Sequence, residues 1–497
     1  MSLTSKLFRL YLDHRMRCID HFRRHPHEVQ AEQLEKRLRE GRNTAFGREY
    51  GLQRVRTAEE FAAAVPAFDY EAFKPYVERM LSGEHDVTTR GRVPFYARSS
   101  GTTSDRSKYV PITRQSILWN HTLGMRDVVA LYLDNCPHSK LLSGKTLTFG
   151  GTCAPEGKNI VGDLSGILLH ETARWGQPLR APRTETALIA DIDHKFTRIA
   201  EECSTQSIRA FAGVPSWNLE LMRRVLEYTG KEHLLQVWPD LELFLYGGME
   251  FAPYRSAYAQ LIPSPDMHYL QTYNASEGFF AAADDLSRDD MLLMLDYGTY
   301  YEFREGDCIV PLEGVEVGKT YAMLITSNNG LWRYEIGDTV TFTSTDPYRI
   351  RFAGRTRQFI NVFGEELVVE NADKALVEAC RRTGAEVTEY SVAPRYMTIE
   401  QSGAHEWFVE FDREPDDLEH FAEELDRALR AANSDYEAKR RSTIERQQLT
   451  VVEQGFFRRW LRERGKNKVP RLVNDRRIAD DLIRFMEERE QATGTNN

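Results

Sequence analysis

Cysteine is scarce in this chain. Cys18, Cys136, Cys153, Cys203, Cys308 and Cys380 lie scattered through 497 residues, with no C-x-x-C pair and no histidine at a zinc-site spacing. That excludes a disulfide framework and a zinc module, and the thiols read as reduced packing residues of a cytoplasmic protein. Long apolar runs are missing too. None approaches the ~20 residues a membrane helix needs, and Arg9, Asp13, Arg15, Arg17 and Asp20 break up any secretory core near the start. No basic block occurs: 65 Lys and Arg stand against 75 Asp and Glu, a net charge of −10. The electrostatic footprint of a nucleic-acid binder is therefore absent, and neither nucleic acid nor membrane is an expected partner. There is no G-x-S-x-G elbow, no H-E-x-x-H helix and no Walker A loop. Gly151 to Lys158 comes near the last, but its glycines are one residue too far apart and Asn159 follows the lysine. It reads as a loop.

What is present is a globular composition, 41% hydrophobic and 28% charged, in a chain long enough for two to four domains at ~150 residues each. Leu7, Leu10, Tyr11, Cys18 and Phe22 recur at helical spacing, which predicts an amphipathic helix ending before Pro26. Its polar face is mixed in sign, as a helix packed on the body would be. Helical character continues from Glu32 to Glu40 and stops at Gly41. Phe95-Tyr96-Ala97, a polar stretch and Lys108 to Ile112 read as strand, loop, strand, followed by a helix carrying Ile117, Leu118, Leu123 and Met125. Thr146 to Phe149 runs into Gly150-Gly151, and Leu241 to Tyr246 into Gly247-Gly248. Apolar strands feeding glycine turns, with helices between, predict an α/β protein. Past Arg351 the pattern changes to short strands, a helix (373–382), strands (387–399 and 406–411) and a helix (418–432). This predicts a smaller α+β domain, with the boundary at Arg355 to Gln358, hence 1–355 and 356–497.

The strongest local chemistry is Ser99-Ser100-Gly101-Thr102-Thr103-Ser104 with Lys108 close behind. Glycine lets backbone N–H groups approach a ligand, hydroxyls add donors, and a lysine adds charge. Together they suit phosphate oxygens. Composition alone fits an ordinary Ser/Thr turn equally well.

This segment resembles the phosphate-binding motif of the Gretchen Hagen family, the auxin-responsive acyl acid amido synthetases of the adenylate-forming superfamily. Tyr273 to Gly278 resembles the second motif and Trp332 to Asp338 the third. Gly354-Arg355, Phe359-Ile360-Asn361 and Gly364-Glu365-Glu366 resemble the hinge region. Asn433 to Glu437 and Lys468 to Arg471 resemble C-terminal segments. The shared order across nearly the whole chain makes the set specific. Asp105 departs from the pattern, standing where many plant members have glycine, and Arg462 to Asn467 is shorter than usual.

The resemblance implies a large adenylate-forming domain, residues 1–355, that binds ATP and the acyl group. A smaller mobile α+β domain, 356–497, acts as a lid and pivots near Arg357. It implies that Ser99, Ser100, Gly101, Thr102 and Thr103 cradle phosphates with Lys108. Tyr246, Gly247, Gly248 and Tyr273 would receive the adenine, the glycines leaving room against the backbone, and Asp338 and Arg355 the ribose and phosphates. Glu277 would hold Mg²⁺, and Lys468, with Lys466 in reserve, would meet the charge of the transition state. Each of these side chains has an ordinary structural reading as well. Trp119, His121, Thr122, Met125 and the turn Gly213 to Trp217 are acyl-pocket candidates by family position, with core packing as the other reading. The implied reaction is ATP-dependent adenylation of a carboxylic acid, then transfer of the acyl group to an amine such as an amino acid. A thioester-forming ligase on the same scaffold and a nucleotide-binding protein without turnover stay open as alternatives.

Overall fold

Leu12, Ile19 and Phe22 form the buried stripe of the first helix, Leu3–Arg24. Arg15 turns inward with them and pairs with Asp127 at 2.7 Å and Asp296 at 2.9 Å, so the helix is fixed to the body. The second helix starts earlier than the sequence pattern suggests, at Pro26, because a proline at the first helical position loses no hydrogen bond. It ends at Gly41. The structure, a computed structural model, describes residues 3–99, 108–171, 179–248, 251–355, 359–398, 401–464 and 469–494; the side chains of 3–10, Ser99, Pro253, Arg355 and 489–494 fall outside the description.

The strands in chain order are β1 (Phe95–Ser99), β2 (Lys108–Ile112), β3 (Lys145–Thr148), β4 (Cys153–Glu156), β5 (Asn159–Gly162), β6 (Arg180–Ala181), β7 (Ile208–Gly213), β8 (Leu243–Gly247) and β9 (His268–Ala275). There follow β10 (Gly278–Ala282), β11 (Met291–Leu293), β12 (Thr299–Glu305), β13 (Cys308–Pro311), β14 (Thr320–Ser327), β15 (Tyr334–Thr345) and β16 (Tyr348–Arg355). The chain ends with β17 (Phe359–Ile360), β18 (Leu367–Val368), β19 (Glu386–Arg395), β20 (Ala404–Arg413) and β21 (Gln448–Val452).

One large sheet runs β13-β12-β14-β15-β16-β11-β10-β9-β8-β7-β3-β6. From β6 to β9 neighbouring strands are parallel, with helices such as Ile192–Cys203 and Pro215–Thr229 in the connections. That is the α/β architecture read from the sequence. From β10 to β16 the alternation of strand and helix ends. The strands become antiparallel and are joined by turns, as hairpins need no crossover helix.

A second sheet, β2-β1-β5-β4, covers one side. It corrects the reading of Gly151 to Lys158 as a loop. Cys153–Glu156 is a strand of a hairpin, Glu156 opposite Asn159, and Gly157 at φ 59° makes the two-residue turn that this geometry favours.

The helix expected over 117–125 is interrupted at its start: Ile117–His121 is a π-helical turn, after which Thr122–Asn135 is regular. The wider turn carries Asn120 inward, where it accepts from the Phe279 N–H at 2.6 Å and donates to the Tyr297 carbonyl at 3.1 Å.

The C-terminal part places β19-β20-β21 beside helices Val369–Thr383 and Leu418–Ala432. The strand expected to reach Ile399 ends at Arg395. Phe211, Phe244 and Tyr258 share one buried cluster with Phe363, Trp407 and Phe421, so this part packs on the parallel half of the large sheet. Among the described residues no helix is long and apolar enough to cross a membrane.

Candidate active site

The parallel strands β7, β8 and β9 end side by side. Gly213 lies opposite Tyr246, and Gly247 opposite Thr272. Open α/β sheets bind ligands at this carboxyl edge, and of the sequence-predicted residues Tyr246, Gly247, Gly248 and Tyr273 lie there.

At β8, Tyr246 stacks on Phe251 with ring centroids 4.6 Å apart. A Cβ at Gly247 would lie 2.6 Å from the Thr272 carbonyl oxygen, so the neighbouring strand already requires glycine there. Gly248 adopts φ 81°, a left-handed conformation that suits glycine. Its carbonyl accepts from the Asn361 amide at 3.3 Å, across the expected domain boundary.

Tyr273 and Asp338 meet. They lie on β9 and β15, four ladder steps apart in the sheet. A flat sheet at ~4.8 Å per step would separate them by about 19 Å. The Tyr273 hydroxyl instead donates to Asp338 at 2.7 Å, so the antiparallel half curls back over the carboxyl edge. Both side chains are buried. Asp338 also faces Arg355 across β15 and β16, and the side chain of Arg355 lies outside the described residues.

Glu277 sits in the turn between β9 and β10. It is half-buried, and its carbonyl accepts from the Asn329 amide at 3.0 Å. Its charge reaches the fully buried Tyr334 phenol. Burial first, and then the Glu277 carboxylate and the Tyr70 phenol, push Tyr334 well above the ordinary tyrosine range. Tyr70 in turn lies under Lys108, whose ammonium is 5.2 Å from the ring centroid. Ser99 pairs with Lys108 at the end of the β1–β2 ladder where the chain passes from one strand to the other, so the hydroxyl-rich segment links the two strands. Ser100, Gly101, Thr102 and Thr103, like Arg357, Lys466 and Lys468, lie outside the described residues.

Trp119 is 60% exposed and Leu118 56%, which removes core packing as an account of either. His121 is buried, with Nδ1 2.9 Å from the Asn274 side-chain oxygen, one residue from Tyr273. Burial holds its imidazole down at about 4, so the ring is neutral at neutral pH. Trp217 packs between Phe149 and Phe196.

Two features were not foreseen from the sequence. Within the third motif, Arg333 makes a buried ion pair with Glu302 at 2.8 Å and donates to the carbonyls of Ala62 and Val65, which anchors the segment leading to Asp338. Lys439 reaches the face of Trp217 from the C-terminal part; a lysine inside a charged helix gives no sequence sign of burial.

The sequence matches the GH3 family N-terminal domain over residues 15–195, the central domain over 292–355 and the C-terminal domain over 370–477. It is 22% identical to indole-3-acetic acid-amido synthetase GH3.4 of Arabidopsis thaliana over 467 residues, covering 77% of this chain and 76% of that protein. Against putative indole-3-acetic acid-amido synthetase GH3.9 of the same plant it is 23% identical, covering 86% and 87%. Among solved structures, GH3.15 acyl acid amido synthetase superposes with a TM-score of 0.59 at 17% identity, covering 92% of this chain and 93% of that one. A 2-hydroxyisobutyryl-CoA ligase bound to an acyl-adenylate and CoA superposes with a TM-score of 0.60 at 14% identity, covering 93% and 92%. These likenesses at low identity establish the shared fold. With three domain matches in sequence order spanning more than half of its length, the chain belongs to the GH3 family.

Proposed function

We propose that this chain adenylates a carboxylic acid with ATP and passes the acyl group to an amine, an amino acid, forming an amide. The meeting of Tyr273 with Asp338 at the carboxyl edge carries this reading, because it sets a buried, oriented carboxylate where a nucleotide ribose would lie. An ionised carboxylate offers two acceptor oxygens to a pair of ribose hydroxyls. Arg355, opposite in register, adds a fixed charge. Tyr246 and the Gly247-Gly248 edge border the adenine, and the hairpin loop from Ser99 to Thr103 with Lys108 holds the phosphates.

Among the described residues no three His, Cys, Asp or Glu side chains assemble into a metal cage. A single half-buried Glu277 fits Mg²⁺, which keeps water and phosphate oxygens as most of its ligands. Bound with ATP, the ion would neutralise phosphate charge. The acid's oxygen bonds to the α-phosphorus as the bond to pyrophosphate breaks. The amine nitrogen then bonds to the acyl carbon as AMP leaves, and the amine loses a proton to solvent. Positioning and charge stabilisation suffice, with no covalent protein nucleophile. Residues 356–497 form the lid, dividing from 1–355 beyond the end of β16, and Lys468 is its cation for the transition state.

An ATP–pyrophosphate exchange screen over aryl, indolyl and fatty acids tests the reading. Acid-dependent exchange is expected, and Ser100→Ala and Glu277→Ala should each lower it about a hundredfold, in the range seen for loss of one transition-state contact. No AMP from any acid, or full exchange in both variants, overturns the assignment. The fold does not choose the acceptor, since it is shared with a CoA ligase.

A further inference from the structure

Lys439 is a cation held where cations are rarely left. It belongs to helix Ser434–Ser442, amid Glu437, Arg440 and Arg441, yet it is only 6% exposed. Its ammonium lies 3.9 Å from the Trp217 ring centroid. Among the described residues it has no hydrogen-bond or ion-pair partner. Burial pushes it well below the ordinary lysine range, against the through-space pull of Asp435, Glu365, Asp163 and Glu366. Glu365 is taken by His405 at 2.8 Å and the Phe363 N–H at 2.7 Å. Asp163 is taken by the Thr152 N–H at 2.8 Å.

The helix turn that Lys439 covers is rich in donors, with the buried Asn218 side-chain oxygen as an unpaired acceptor beside them. Trp217 is the third residue of helix Pro215–Thr229, whose N-cap, Val214, has no side-chain oxygen for the first-turn N–H groups. The Ser216 hydroxyl is spent on the Phe363 carbonyl at 3.0 Å. The Trp217 indole N–H is buried without a partner. An ammonium on the face of the Trp217 ring, that ring's own N–H and a helix N-terminus with its positive dipole end therefore belong to one stretch just beyond β7, at the carboxyl edge of the sheet. Unsatisfied buried donors are costly, and a carboxylate satisfies all three kinds.

We propose that Lys439 and the first turn of helix Pro215–Thr229 form a carboxylate site that selects an amino acid, over a simple amine or a thiol, as the acyl acceptor. The proposal rests on the adenylation and transfer reading above. The acid being activated cannot use this site, because its carboxylate must attack the α-phosphorus and loses its charge there. The carboxylate that persists through both half-reactions is the acceptor's own.

The test compares each of the twenty proteinogenic amino acids with its decarboxylated amine as acceptor for an acid active in the exchange screen. The readout is the ratio of kcat/KM for the amino acid to that for the matching amine. Lys439→Met should lower this ratio about 10–100-fold, the range for a lost charge-assisted hydrogen bond, with the loss in KM for the amino acid. Lys439→Arg should restore most of it. Trp217→Phe, which keeps the ring and removes the N–H, should lower the ratio several-fold and covers the case in which Lys439→Met does not fold. Equal losses for amino acid and amine, or an unchanged ratio, overturn the proposal. Should no acid support exchange, the adenylation reading has failed. The carboxylate site is then decided by calorimetric titration of the same amino acids. Binding to the wild-type chain that Lys439→Met abolishes upholds it, and no binding by the wild-type chain overturns it.

Discussion

Replacing Glu302 with glutamine tests whether the third motif is anchored as the structure indicates. Arg333 and Glu302 each keep only 6% of their side-chain surface exposed. The guanidinium spends Nε and Nη2 on the carboxylate and Nη1 on two carbonyls. Removing one member of such a pair leaves a buried charge uncompensated, which costs roughly 3–5 kcal/mol. Glutamine keeps one acceptor oxygen, so the lower end applies, about 3 kcal/mol. A cooperative unit of 150–250 residues loses about 2–4 °C per kcal/mol, which predicts a fall of roughly 6–12 °C in the first thermal transition. Glu378→Gln is the control. Its pairs with Arg381 and Arg382 lie on an exposed helix face, and exposed pairs contribute little, so no resolvable shift is expected. The double variant Glu302→Leu, Arg333→Met should be less damaging than the sum of the two single changes, since it removes both charges. Denaturant and thermal melts read all of these. A Glu302→Gln melt indistinguishable from the Glu378→Gln melt refutes the reasoning.

Tyr273→Phe keeps the ring but removes the donor to Asp338. The lost hydrogen bond to a charged group predicts an increase of about 10–100-fold in KM for ATP in the exchange assay, and a change under twofold would show that this bond does not serve nucleotide binding. His121 makes acid stability a second test. Its folded value, about 4, lies below the unfolded value of 6.5, so between these the unfolded chain binds the proton that the folded chain refuses. Its contribution is complete above pH 6.5 and is lost as pH falls through 4, an effect of about 3 kcal/mol. Denaturant melts at pH 7 and 4.5 should show a smaller acid loss in His121→Gln than in the wild-type chain, and equal losses would dismiss the histidine as the cause.

The sequence by itself determined the local order of this protein. Hydroxyl, glycine and lysine spacing located the β1–β2 hairpin and its connection, because turn chemistry is local. Apolar strands ending at glycine pairs located β3 and β8 for the same reason, and the family motifs stood in order along the chain. The sequence could not show that β10 to β16 form an antiparallel arm, since a short apolar strand looks alike in either direction. Nor could it show that this arm curls until Tyr273 touches Asp338, 65 residues away. Tertiary structure alone made Arg333 an anchor, left Trp119 in solvent and buried Lys439 against Trp217. In each case the deciding quantity is what surrounds the side chain, and a lysine or tryptophan carries no local mark of whether its neighbours will be water, a ring face or a carboxylate.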